Sequence, residues 1–204
     1  MAGRSNSCRE RILENAESII LEKGFHATSI NDILDKSAIT KGGFFYHFDG
    51  KPGLAVALVE RYLVQDDELF GSLTEQAEAL SEDPLHRLLI FLNLLAETFG
   101  DMPETHPGCL VASFTYESQQ LNEHVRELMQ VGLLSWRKMM VEKMERARDA
   151  YPMRGDVSIE TLADMFTAVI EGGIMLALNF GENSHITNQL LAYRAFLRMV
   201  YGAE

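Results

Sequence analysis

The sequence predicts an all-α protein of about nine helices, three short ones first and a larger helical body after them. Two observations carry this. Apolar residues recur at spacings of three and four along most of the 204 residues, the period of a helix with one buried stripe. Helix caps and stops punctuate those stretches, and segments with the two-residue alternation of strands are almost absent.

The first helix starts near Ser7 and runs to Lys23, with Ile12, Leu13, Ala16, Ile19 and Ile20 on one face. Gly24 stops it, as glycine does just past a helix end. Thr28 or Ser29 caps the second helix, and Asp32 sits three residues after Ser29 as in a capping box. Ile30, Ile33 and Leu34 face inward. Lys36-Ser37-Ala38 is a turn anchored by Ile39, and Thr40 caps a third helix of barely two turns that ends near Phe48. Gly42 and Gly43 weaken it, by roughly 1 kcal/mol each relative to Ala. Lys51-Pro52 opens a fourth helix, where proline is tolerated in the first turn, running towards Asp67 or Leu73.

Helices then follow over Leu85–Phe99 after the start signal Ser81-Glu82-Asp83-Pro84, from Cys109 to about Gln119, from Leu121-Asn122-Glu123 to near Tyr151, from Ser158 through Leu178, and over Ile186–Tyr201. Residues 172–181 carry no charge and include Gly172-Gly173. Together with Leu190, Leu191, Phe196, Leu197 and Val200 on the last helix, they suggest an interface between two copies of the chain.

The exposed chemistry of residues 28–52 is hydroxyls, Lys, glycines, aromatics and His. Small residues let a backbone approach DNA, while aromatic, hydroxyl and cationic groups reach bases and phosphates. The net charge of −12 argues against DNA at first. Splitting the chain resolves this. Residues 1–55 hold seven Lys/Arg and seven Asp/Glu, and the remainder holds 11 against 23, so all the excess acid lies beyond residue 55. A neutral reader predicts modest non-specific affinity with strong salt dependence.

The spaced pattern Thr28-Ser29-Ile30-x-Asp32-Ile33, then Ile39-Thr40-Lys41-Gly42-x-Phe44-x-Tyr46-His47-Phe48, then Lys51-x-x-Leu54, resembles the DNA-binding domain of TetR (tetracycline-repressor-like) transcriptional regulators over about residues 8–60. It departs twice: Ala38 stands where the family usually has Gly, and Phe45 where it usually has Tyr. The resemblance implies a helix-turn-helix DNA-binding domain at 1–50 and a helical effector-binding and dimerisation domain at 51–204. It implies that Thr40, Lys41, Gly43 and Phe45 face the major groove, with Lys41 the base reader best able to donate to guanine. Ser29, Tyr46, His47 and Lys51 would grip phosphates, and Asn31 either. Phe44 and Phe48 read as core.

The same resemblance implies operator DNA as partner, a homodimer through the last two helices, and a small-molecule effector. Candidate effector-site residues are Phe91, Leu95, Phe99, Cys109, Phe114, Glu117, Trp136, Met140, Phe166 and Met175; each apolar one, taken singly, reads more readily as plain core. Ten methionines suit an adaptable interior. Cys109, at a helix start after Pro107-Gly108, reads either as a reactive thiol or as a small buried hydrophobe, and the second reading is preferred. No cofactor, metal site or catalytic residue is expected: phosphate-binding glycine loops, nucleophile elbows and zinc spacings are lacking. Without a secretory signal or a membrane-length apolar run, the expected location is the cytoplasm. The function expected is a ligand-released repressor at a near-palindromic operator; the alternative is a non-catalytic helical interaction scaffold.

Overall fold

A computed structural model describes residues 2–117, 119 and 121–202, with side chains from residue 8. The described residues form nine helices and no strand: α1 (Ala2–Lys23), α2 (Ile30–Ser37), α3 (Lys41–His47), α4 (Gly50–Leu80), α5 (Pro84–Gly100), α6 (Leu110–Tyr116), α7 (Glu123–Ala150), α8 (Ile159–Phe180) and α9 (Ser184–Val200). The sequence pattern carries α6 on to about Gln119, but the helix stops at Tyr116; Ser118 and Gln120 lie outside the described residues.

Two compact units form. One joins residues 1–65 with 107–131; the other joins 66–106 with 132–204. Helices α4 and α7 each contribute residues to both units. α4 runs to Leu80, beyond the Asp67 or Leu73 that its sequence pattern suggests, with Gly71 carried within the helix.

In the first unit, Ile12, Leu13, Ile20, Ile33, Phe44, Leu54 and Leu58 are fully buried. Arg61 on α4 pairs with Glu10 and with Glu17 of α1. Phe25, after Gly24, turns back into this core and meets Phe114 of α6 edge-on at 5.1 Å between ring centres.

In the second unit, α5 and α8 both pack along α9. Side chains of α9 also satisfy carbonyls on its neighbours. Arg194 Nε donates to Leu89 O at 2.9 Å, and Tyr193 donates its hydroxyl to Leu162 O at 2.5 Å. Two expectations change here. Leu190, Leu197 and Val200 are buried within the chain, so most of the apolar face of α9 is spent inside the subunit. Gly173 is buried too: a Cβ there would lie 2.9 Å from Ile186 Cα, so this glycine permits α8 and α9 to touch. A Cβ at Gly172 would meet nothing within 4 Å. By length and composition alone α8 could cross a membrane, with an 18-residue window of mean hydropathy 1.5, and a third of that window is buried within the chain, where Gly173 meets α9.

Candidate functional site

The second and third helices owe their geometry to their caps. Ser29 Oγ accepts from Asp32 N at 3.1 Å, and Asp32 Oδ2 accepts from Ser29 N at 2.7 Å, the reciprocal capping box the spacing requires. Lys23 donates to the same carboxylate at 2.8 Å, and this bond is the main reason its pKa falls well below the usual range. Ala38 closes α2 in the left-handed conformation, at φ 50 and ψ 50. Its amide can then reach the last carbonyls of α2, as a glycine cap would. Thr40 Oγ1 accepts from Gly43 N at 3.2 Å and starts α3.

α3 presents two faces. Phe44 is fully buried, and Phe48, just past the helix, is nearly so. Lys41 and Gly42 in its first turn are exposed, Phe45 is 48% exposed and Tyr46 78%. Lys41 Nζ lies 6.0 Å from the centre of the Phe45 ring. Tyr46 and His47 stack edge-on at 4.9 Å. Asn31 is exposed on the first turn of α2. A Cβ added at Gly42 or Gly43 would meet only Thr40 and Ile39, at 3.5–4.0 Å. Nothing within the chain therefore requires glycine at either place.

Lys51 sits differently from its sequence reading. Its ammonium donates to Phe25 O at 2.7 Å and to His26 O at 3.2 Å, and lies 4.5 Å from the Phe25 ring centre. Burial lowers its pKa. The head is engaged by the α1–α2 turn, which leaves one of its three protons for another acceptor. Glu117 also departs from its expected place in a ligand pocket. Its carboxylate accepts from Phe25 N at 2.9 Å and from His26 N at 2.6 Å. The two peptide groups of this turn are thus held by Lys51 through their carbonyls and by Glu117 through their amides.

The ten candidate effector residues do not form one pocket. Phe91, Trp136 and Phe166 gather around Phe70, at ring-centre distances of 6.2, 6.5 and 5.9 Å. Leu95 and Met140 are fully buried core. Phe99 meets the His106 ring at 5.5 Å. Phe114 and Cys109 belong with the first unit, where Cys109 Sγ lies 3.4 Å from the Tyr62 hydroxyl. Met175 is 57% exposed on the outer side of α8.

What the second unit does hold is an open groove of about 440 Å³ between α4 and α7. Phe70 and Trp136 line one part of it, and Thr74, Lys143 and Arg146 another. Lys143 Nζ donates to Thr74 Oγ1 at 2.7 Å and lies 4.6 Å from the Phe91 ring centre. Burial pulls its pKa down to about 8. Of this set the sequence singles out only Trp136 and, behind the wall, Phe91. Lys143 is one charge among many on a long amphipathic helix, and only its burial distinguishes it.

Comparison with known proteins decides the ancestry of these elements. Residues 84–192, more than half of the chain, match the family described as "Tetracyclin repressor-like, C-terminal domain", and residues 12–58 match "Bacterial regulatory proteins, tetR family". The chain belongs to the TetR family of transcriptional regulators. Among its relatives, the HTH-type transcriptional regulator YxaF of Bacillus subtilis is 28% identical over 87% of this chain and 88% of its own. The HTH-type transcriptional repressor DhaR of a Mycobacterium species is 24% identical over 90% and 88%. The fold is that of a TetR-family regulator from Agrobacterium tumefaciens, with a TM-score of 0.78 at 22% identity over 94% of this chain and 98% of that one. Reduced NemR of Escherichia coli is similar too, with a TM-score of 0.74 at 21% identity over 95% and 97%.

Proposed function

We propose that this TetR-family regulator is a dimeric repressor that reads a near-palindromic operator through α3 and leaves it when a small molecule occupies the second unit. The exposed face of α3 carries the reading. Lys41, Phe45 and Tyr46 are left in solvent by a helix whose other side is locked into the core. Two adjacent glycines that the chain itself does not need leave room for a backbone to come close. Thr40 and Ser29 are occupied as caps, so their part is to aim helix N-termini, which favour phosphates. Lys51 supports the reader from behind instead of gripping DNA.

The dimer reading rests on the outer side of α8 and α9. Met175 is 57% and Met199 65% exposed, with Leu178 and Leu191 also in solvent on the same two helices. A twofold pair would set two α3 helices on half-sites about 34–36 Å apart or a multiple of it. The effector reading rests on the groove between α4 and α7, whose size falls in the range of ligand sites. A ligand that favours one setting of α4 shifts the reader by differential affinity for two states.

Fluorescence anisotropy tests the repressor reading. The protein is titrated against duplex DNA from upstream of its own gene and against a scrambled duplex, at two salt concentrations. Selective, salt-sensitive binding supports it. Absence of binding at low salt would overturn it and favour the scaffold reading.

A further inference from the structure

We infer that the α4–α7 groove takes an amphiphilic monoanion, with a carboxylate headgroup on Lys143 and an apolar chain along Phe70 and Trp136. This names the chemical class of the effector and rests on the groove being the effector site.

The argument starts from where the charges lie. Asp67, Glu75, Glu78 and Glu142 border the groove, but all four are exposed and face water. Arg146 is exposed as well and lies 3.8 Å from Glu78. Lys143 alone is drawn in, at the foot of the aromatic cluster. Charges taken out of water act far more strongly on a bound partner than charges on a rim. The depth of the groove is therefore cationic although its border is acidic.

Lys143 is also incompletely served. The Thr74 hydroxyl donates to Phe70 O at 2.7 Å, so its oxygen is left to accept one hydrogen bond from the ammonium. An ammonium has three protons to donate. The Phe91 face offers a second contact, and no carboxylate of the described residues comes within ion-pair distance of Lys143. Burial is the main reason its pKa is lowered, and the more distant charges of Glu78 and Glu142 only partly offset it. A carboxylate would supply the missing acceptor. A cation would meet Lys143 as a like charge. A dianionic headgroup would suffer doubly from Glu78 and Glu142. Phe70 and Trp136, which line the same groove, offer apolar faces for a chain.

Trp136 is the only tryptophan of the chain and lines the groove, so its fluorescence reports occupancy directly. The purified full-length protein is titrated with octanoate, octanol and octylamine, three probes with one chain and three headgroups. Octanoate is expected to saturate the signal at a concentration at least tenfold lower than either of the others. Lys143→Met should abolish that preference while octanol binding stays as it was, and Lys143→Arg should retain most of it. Equal or better binding of octylamine or octanol by the wild type overturns the inference, and this readout needs no variant to fold. So does octanoate binding that survives Lys143→Met unchanged. If octanoate binds through Lys143 yet never releases operator DNA, the headgroup chemistry stands and the effector reading alone fails.

Discussion

Glu117 holds Phe25 across 92 residues of sequence: its carboxylate accepts the Phe25 amide at 2.9 Å, and the neighbouring His26 amide at 2.6 Å. The turn that separates α1 from α2 is therefore built partly by the end of α6. Glu117→Ala leaves two amides without that acceptor, one of them half-buried, and should cost about 1–3 kcal/mol. Urea denaturation of the variant checks this; an unchanged midpoint would show that water replaces the carboxylate at no cost. Gly24→Ala should be worse than neutral for two reasons, since φ there is +87 and a Cβ would fall 2.5 Å from Glu117 Oε1.

Ala38 occupies a left-handed conformation at φ 50. That geometry costs an L-residue about 1 kcal/mol more than glycine. Ala38→Gly should stabilise the protein by about that amount, read as a rise in urea midpoint with the slope unchanged. A loss of stability would mean that the alanine methyl makes a compensating contact.

Lys143 should make stability depend on pH in a particular direction. The unfolded lysine keeps its proton to about its ordinary pKa of 10.5, whereas the folded one releases it near 8. Between these values the unfolded state binds more protons, so this group's contribution to stability rises with pH. Below pH 8 its full penalty is present. Lys143→Met should therefore be more stable than wild type at pH 7, by roughly 1–2 kcal/mol after allowing for solvent in the open groove. The advantage should fade towards pH 10.5. Denaturation curves of both proteins at pH 7, 9 and 10.5 decide it.

Gly173 and the outer methionines separate folding from association. Gly173→Ala forces a Cβ against the Ile186 backbone and should destabilise each subunit by about 1–3 kcal/mol. Met175→Glu with Met199→Glu changes only exposed positions. Light scattering should show that pair of substitutions as a folded monomer. A dimer that persists would move the association surface off these two helices.

The helical order is legible in the sequence because caps and periodicity are local. Ser29, Thr40, Asp83 and Ser158 each accept an amide of the helix they begin, as their positions in the sequence suggest. The two faces of α3 are legible for the same reason, with Phe44 inward and Phe45 and Tyr46 outward. What stays hidden depends on partners far away in sequence. The hold of Lys51 on the Phe25 and His26 carbonyls is invisible in the sequence. Glu117 resembles a pocket residue for want of a visible partner. Gly172 and Gly173 are indistinguishable in sequence, yet only the second lies against α9. The effector residues read as one set because large apolar side chains at helical spacing do not reveal which unit they fill.

The measurement that tests the central claim most directly is the affinity of wild type, Lys41→Ala and Tyr46→Ala for the specific upstream duplex, with circular dichroism and light scattering as controls. Both side chains are in solvent, so neither change should alter fold or association. The prediction is a loss of at least tenfold in specific affinity for each variant, the scale of one lost base or phosphate contact. Specific binding that is untouched in both would contradict the assignment of α3 as the DNA reader.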